Sequence, residues 1–331
     1  MADVYRIFGA EMSPYSVKVR SYFRYKAIPH QWILRNAENQ AEYEKHAKLP
    51  IVPLVVTPQG AGIQDSTPII DKMEMLFPQP SIRPEGVAGF ISELIEEFGD
   101  EWGNKWMFHY RWTREVDQLC SAGRIARMRA PRANEAEYDT LTMQVRTRMA
   151  ERLWFVGSNT QTAPQIETGF HEMLSLLDRH LTSRPYLFGG RPAYGDFGLW
   201  GQLYELWTDP TAGALIEGGA PHVLDWVHRM LWPRAEGAFE PWPALAPTLL
   251  PILKTQVGGK FMPWTLANEK ALAEGKDEFS VKLGDEVWIQ KPQKYHARSL
   301  AMLRAKYAVA PDKAALDPIL ADAGCLGGLR A

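Results

Sequence analysis

The sequence predicts an α+β unit followed by an all-α unit, and two observations carry that expectation. Before residue 80, short runs of β-branched and aromatic residues alternate with helical patterns in the order βαβαββα. Between about residues 87 and 235 strand-like runs vanish and long stretches of helical periodicity take over. Length agrees, because 331 residues exceed what one small core needs at roughly 100 to 200 residues per domain. The expected division is 1–80, 87–235 and an extension 236–331 packed on the helical unit.

Each element has a local reason. "DVYRIF" (3–8) is rich in β-branched and aromatic residues and ends at Gly9, so it reads as a strand. Ser13-Pro14 then opens a helix running to Ala27, with serine a good N-cap and proline suited to the first turn. "HQWILR" is a second strand, 39–47 a short helix, and "VPLVVT" with "AGIQ" a hairpin. "DSTPIIDKMEMLF" is a third helix, expected to be capped by Ser66. "PQPSIRPEG" separates the two units. From Pro233 onward, Pro241, Pro243, Pro247 and Pro251 argue against a long helix. Beyond them "DEFSVKLGDEVWIQ" predicts a hairpin turning at Gly284-Asp285, and "KYHARSLAMLRAKY" a helix.

Composition narrows the class. Hydrophobic residues make up 46% and charged residues 23%, as in ordinary globular proteins, and the formal net charge of −2 leaves no basic stripe for nucleic acid or anionic lipid. Two cysteines, Cys120 and Cys325, are too few for a disulfide framework or a four-ligand zinc site. No leader-like or spanning apolar stretch is present, so a cytoplasmic protein is expected. Glu93, Glu96, Glu97, Asp100 and Glu101 form an acidic stripe at helical spacing, expected to be a solvated face. "GGK" (258–260) lacks the flanking residues of a phosphate loop, and the eight histidines show no metal-ligand spacing.

The stretch "SPYS" (13–16) has the form of a redox CPYC motif with both thiols replaced by hydroxyls. The element order around it resembles the thioredoxin fold, and the attached helical unit makes the chain similar to the glutathione transferase superfamily, in its serine-type branch. Four segments carry the resemblance: "SPYSVKVRSYFRYKAIPHQW", "LPIVPLVV", "QDSTPII" and "YLFGGRPAYGDFGLWGQLY". It covers roughly residues 3 to 235. In the last segment "AYGD" (193–196) departs from the family's Ser/Thr-x-x-Asp box, although Asp196 can still bond back to the Ala193 N–H.

The resemblance implies a site. Ser13 stands at a helix N-terminus, where unpaired N–H groups favour an anion, and its hydroxyl would hydrogen-bond the thiolate of glutathione. Tyr5 and Ser16 are the fallback hydroxyls. Val52-Pro53 would be a cis bond that offers the Val52 backbone to the cysteinyl part of the ligand. Asp65 would take the α-ammonium and Ser66 the α-carboxylate of the γ-glutamyl end, with Gln64 adding an amide. Lys48, or else His46, would meet the glycyl carboxylate. Tyr15, Trp106, His109 and Tyr110 are assigned to the pocket for the electrophile, although a Trp102/Trp106 stripe also fits a plain core. Trp264, Trp288 and Tyr295 are the expected anchors of the extension over the mouth of the cleft.

Thiolate formation alone accounts for little rate. A thiol of pKa about 8.5 is roughly 3% ionised at pH 7, and lowering the pKa two units gives about 75%, near 25-fold. Nucleophilicity falls about 6- to 10-fold at a Brønsted slope of about 0.4 to 0.5, leaving about 3-fold. Most of any acceleration must therefore come from holding the electrophile beside the sulfur. The expected protein is a homodimeric enzyme acting on a small hydrophobic electrophile with glutathione as co-substrate and no metal. The competing expectations are a non-catalytic glutathione-binding scaffold and, with no cysteine near the motif, more weakly a thiol oxidoreductase.

Overall fold

In the computed structural model, which describes residues 4–331, the first unit is a four-stranded sheet. Strands β1 (Tyr5–Gly9), β2 (His30–Leu34), β3 (Leu54–Val56) and β4 (Gly62–Gln64) lie in the order β2-β1-β3-β4. β1 pairs parallel with β2 and antiparallel with β3, and β3 pairs antiparallel with β4. The Asp3 assigned to the first strand lies outside the described residues. Alternation along the strands sorts the side chains by face. Ile7 and Val55 join Val17, Phe23, Ile69 and Ile70 in the main core, whereas Phe8, Leu54 and Val56 close on Tyr43. Helices α1 (Pro14–Tyr25) and α3 (Ser66–Leu76) supply the first set, and short α2 (Gln40–Glu44) brings Tyr43 to the second.

The start of α3 differs from expectation. Ser66 is the first helical residue and Asp65 holds the cap position, at φ 76° and ψ 134°, with no side-chain cap bond. The chain must turn sharply out of β4, and that left-handed-side conformation pulls the Asp65 carboxylate away from the helix amides.

The helical unit begins with α4 (Val87–Phe98), which passes through a wide π turn at Gly99–Gly103 into α5 (Asn104–Thr113). Then follow α6 (Glu115–Arg129), α7 (Glu135–Ala150), α8 (Ala163–Leu181), α9 (Tyr194–Trp207), α10 (Pro210–Gly219) and α11 (Pro221–Arg229). Helix α9 is buried along most of its length and packs against both α4 and α1. A Cβ on Gly201 would lie 2.6 Å from the Pro14 carbonyl, so the missing side chain lets α9 touch the first turn of α1. Asp196 behaves as the sequence suggests: its carboxylate accepts from the Ala193 N–H at 2.9 Å. It also accepts from the Leu187 N–H and the Trp226 indole.

The extension corrects two expectations. Pro247 and Pro251 sit inside α12 (Trp242–Ile252), which continues through a π stretch, Leu253–Phe261, into α13 (Met262–Ala273). Pro243 falls in the first turn, where its missing N–H costs nothing, and Pro251 falls just before the helix widens, where i→i−4 geometry is already relaxed. The predicted hairpin is β5 (Phe279–Leu283) and β6 (Glu286–Gln290), and the predicted helix is α14 (Lys294–Ala308). Two short helices, α15 (Lys313–Asp322) and α16 (Leu326–Arg330), end the chain.

Helix α14 packs on α4, and that contact overturns the solvated-face reading of the acidic stripe. Glu93, Glu96, Asp100 and Glu101 are all buried. Lys306 meets Glu93 at 2.6 Å, His296 pairs with Glu101, and Ser299 donates to Glu101 at 3.2 Å. On the other side Lys18 and Arg83 supply cations. No helix among the described residues is long and apolar enough to cross a membrane.

Candidate functional site

Ser13 is the N-cap of α1, with its Oγ accepting from the Ser16 N–H at 3.3 Å. It is half-buried, whereas the two fallback hydroxyls are not available: Ser16 is fully buried, and Tyr5 packs edge-on between Phe23 and Phe77 in the core. The loop that delivers Ser13 is gripped from behind, because the Arg111 guanidinium donates to the Met12 carbonyl at 3.1 Å. Two residues past Ser13, the Tyr15 phenol donates to the Asp100 carbonyl at 3.1 Å. Burial, then the charges of Glu101, Asp100 and Asp65, push the Tyr15 pKa well up, so the phenol stays protonated.

The Val52–Pro53 bond is cis. Val52 lies outside strand β3, and neither its N–H nor its C=O has a hydrogen-bond partner among the described residues. Gln64 is committed elsewhere: its Oε1 accepts from the Lys48 and Leu49 amides, and its Nε2 donates to the Leu49 and Ile51 carbonyls. It therefore shapes the 48–51 loop, and its side-chain amide has no group left for a ligand. Lys48 is exposed at that loop. His46 is tied to Glu42 and to the Gly60 carbonyl.

Beneath Ser66 lies a charged interior. The Lys18 ammonium reaches Glu96 at 2.5 Å, Asp100 at 2.6 Å and the Ser66 hydroxyl at 3.5 Å. Burial opposes the ammonium, but Asp100 and Glu96 outweigh it and hold Lys18 above its usual pKa. One ammonium cannot neutralise two carboxylates. Despite its own burial, Glu96 is held below its usual value by Lys18, while burial and the neighbouring Glu96 and Glu101 push Asp100 up to about 8. Glu97 is pushed well up by burial and by Glu101, Glu96 and Asp100. Among the described residues no cluster of His, Cys, Asp and Glu is arranged to hold a metal ion.

Residues 7–81 match the family model for the glutathione S-transferase N-terminal domain, and residues 145–229 match the model for its C-terminal domain. The chain belongs to the glutathione S-transferase superfamily. It carries a thioredoxin-like β/α domain followed by the helical transferase domain, with an extra C-terminal region beyond both matched segments. No curated protein matches the sequence. Similar solved structures include a glutathione S-transferase from Rhodospirillum rubrum F11, at 19% identity over 67% of this chain and 86% of that one, TM-score 0.42. Another is the β-etherase LigF from Sphingobium sp. strain SYK-6, at 14% over 70% and 95%, TM-score 0.44. A third is glutaredoxin 2 from Salmonella typhimurium in complex with glutathione, at 17% over 68% and 92%, TM-score 0.41.

Within this transferase fold, the expected electrophile wall is only partly where the sequence placed it. Trp106, His109 and Tyr110 are each about 1% exposed. Trp106 and Tyr110 pack on Phe170 of α8, and His109 is bonded to Ser158 at 2.8 Å and Glu167 at 3.0 Å. They are core, because the helical period identifies a buried face without saying whether protein or ligand covers it. Tyr15 stays half-buried beside Asp65, Asp100 and Glu101. Sequence reasoning missed Lys18, whose only signal was a lone charge between Val17 and Val19 on a helix face otherwise destined for the interior. It also missed His296, whose partner Glu101 lies 195 residues away.

Trp264 and Trp288 are fully buried anchors, as expected, with their rings 5.6 and 5.4 Å from that of Trp102 in the π turn. Lys105 sits among these rings and donates to the Val156 carbonyl at 3.1 Å and Gln290 at 3.0 Å. Tyr295, expected as a third anchor, is instead exposed, and its hydroxyl donates to Asp65 Oδ2 at 3.2 Å. Cys325 is buried, and that burial pushes its thiol up to about 12; Cys120 is partly exposed on α6.

Proposed function

We propose that the protein is a glutathione transferase in which Ser13 donates a hydrogen bond to the glutathione thiolate and the bound sulfur attacks a small hydrophobic electrophile. The observation that carries this reading is that, of the three candidate hydroxyls, Ser13 alone is left partly open, at the N-terminus of α1. That position combines a hydroxyl donor with the positive end of the helix dipole, and both favour thiolate over thiol. The unpaired Val52 backbone beside the cis bond offers one donor and one acceptor for strand-like pairing with the cysteinyl segment. Asp65 places a carboxylate at the start of α3 for the γ-glutamyl ammonium, while the Ser66 hydroxyl, buried and accepting from Lys18, leaves the γ-glutamyl carboxylate to the N–H groups of the helix N-terminus. Lys48, exposed on its loop, is the candidate for the glycyl carboxylate.

The test is Ser13→Ala with glutathione and a panel of aromatic and haloalkyl electrophiles. The expected result is a rise in the bound thiol's pKa, followed by thiolate absorbance, and slower turnover with little change in glutathione affinity. Unchanged thiol pKa and unchanged turnover would remove Ser13 from the chemistry.

A second reading, a glutathione-binding protein without conjugating activity, is favoured by one observation: Trp106, His109 and Tyr110 are enclosed and offer no surface to an electrophile. Glutathione binding by calorimetry with no turnover on any electrophile of the panel would select it.

A further inference from the structure

We propose that Tyr295, contributed by the C-terminal extension, is a positioning residue of the glutathione site, orienting the Asp65 carboxylate and completing with it an acceptor pair for the ligand's α-ammonium. The inference rests on the glutathione-binding reading above and adds to it a residue 230 positions away from Asp65 in sequence.

Three features of the site lead there. Asp65 holds a positive φ of 76°, a conformation that costs a non-glycine residue of order 1 kcal/mol or more, so its backbone direction is set by its surroundings. Its carboxylate neither caps α3 nor enters an ion pair among the described residues, and the Tyr295 hydroxyl is the partner it has, at 3.2 Å on Oδ2. Third, the local charge is one-sided. The carboxyl groups of Asp65, Asp100 and Glu101 stand near Tyr295; Lys18 is shared between Glu96 and Asp100 and His296 faces Glu101, which leaves Asp65 without a cation among the described residues. The group such a place accepts is a cation.

Tyr295 is held firmly enough to do this. The chain entering α14 is clamped by the Gln293 N–H donating to Asn268 Oδ1 at 2.7 Å and by Asn268 Nδ2 donating back to the Gln293 carbonyl at 3.0 Å. The next residue, His296, is pinned by Glu101 and by the Trp264 ring at 4.7 Å. Burial and the surrounding carboxylates raise the phenol's pKa, so it remains a donor to Asp65. Its single proton goes to Oδ2, which leaves the phenol oxygen's lone pairs and Asp65 Oδ1 as adjacent acceptors. A primary ammonium has three N–H donors and uses both, with the third left to water.

Calorimetric titration of the full chain with glutathione, and with the analogue whose γ-glutamyl amino group is replaced by hydrogen, tests this. The variants are Tyr295→Phe, Asp65→Asn and the double variant. Tyr295→Phe removes one oxygen from a side chain that is 47% exposed, so folding is retained, and Tyr295→Gln, with an amide donor, serves as the partial rescue. The expected result is a 3- to 10-fold weaker glutathione affinity in Tyr295→Phe, no change for the deamino analogue, and no further loss when Tyr295→Phe is added to Asp65→Asn. Equal losses for both ligands, a fully additive double variant, unchanged glutathione affinity, or tighter binding in Tyr295→Phe would each overturn it; tighter binding would mean that Tyr295 occupies the ligand's place. If the wild-type chain binds no glutathione, the functional reading falls and takes this inference with it. Wild-type binding with an indifferent Tyr295→Phe overturns this inference alone.

Discussion

Two buried cations bracket Ser13, and they are solved differently. Behind the loop that delivers it, Arg111 donates to Asp209 at 2.6 Å, to Glu205 Oε2 at 2.7 Å, and to the Met12 and Glu205 carbonyls. Asp209 takes a further bond from Ser121 at 2.9 Å. One turn into α1, Lys18 also serves two carboxylates, and Glu96 Oε2 and Asp100 Oδ1 are left without partners, against Glu205 Oε1 alone in the first network, where Arg124 adds a second cation 3.6 Å from Asp209. The planar guanidinium spreads five donors over two carboxylates and two carbonyls, while the ammonium has three donors for a denser set of acceptors. The first network is a clamp. The second carries surplus negative charge next to the candidate ligand site, and protons make up the difference.

The largest effect should come from breaking the clamp. Arg111→Met leaves Glu205, Asp209 and the Met12 carbonyl facing a buried thioether, and a loss of about 3 to 5 kcal/mol in urea unfolding is expected. Lys18→Met should also destabilise, but with a distinct pH signature. Its stranded carboxylates can take up protons, so the loss should be smaller at pH 6 than at pH 9, whereas Arg111→Met should show the weaker pH dependence of the two. Equal pH dependence would erase the distinction between the networks.

Next in size is ligand binding. Asp65→Ala should weaken glutathione affinity about 10- to 100-fold, the range of one charge-assisted hydrogen bond. Calorimetry with glutathione and its deamino analogue reads it, and equal losses would reduce Asp65 to a turn residue.

The smallest effect tests the surplus charge. Glu97 and Asp100 have folded-state pKa values raised above their unfolded ones, Asp100 to about 8. The folded chain therefore holds protons that the unfolded chain has released above about pH 4 to 5, and this contribution to stability is present at low pH and lost as pH rises through the folded value. Glu97→Gln removes one such group, so Tm should rise by about 1 to 3 °C at pH 9 and stay unchanged at pH 4. A lower Tm at pH 9 would show that Glu97 is used as an anion.

How far the sequence reads correctly follows from the distance over which each feature is decided. The order βαβαββα, the hairpin at Gly284-Asp285 and the Asp196 bond to Ala193 all depend on residues within a few positions of one another, and all appear in the structure. The acidic stripe misled because its cations come from Lys18, Arg83, His296 and Lys306, and no local pattern announces them. The buried triplet Trp106, His109 and Tyr110 misled because an apolar face looks the same whether α8 or a substrate covers it. Pro247 and Pro251 misled because propensity does not foresee a helix that widens into a π stretch just beyond them. Ser13 was legible as a position, and the structure added that Ser16 and Tyr5 are shut away.

The pairing of α4 with α14 also has a consequence in time. Glu101 and Glu93 emerge from the ribosome well before His296 and Lys306, 195 and 213 residues later. At about 5 to 20 residues per second that gap is roughly 10 to 40 seconds. Throughout that interval the outer face of α4 stands in water. An apolar stripe would be adhesive while it waited, whereas carboxylates are well hydrated and repel one another's copies on neighbouring nascent chains. The seam is mixed, with Phe90 packed on Tyr307 at 5.5 Å beside the carboxylates, and those carboxylates hydrate the face that an apolar residue shares with them until α14 arrives.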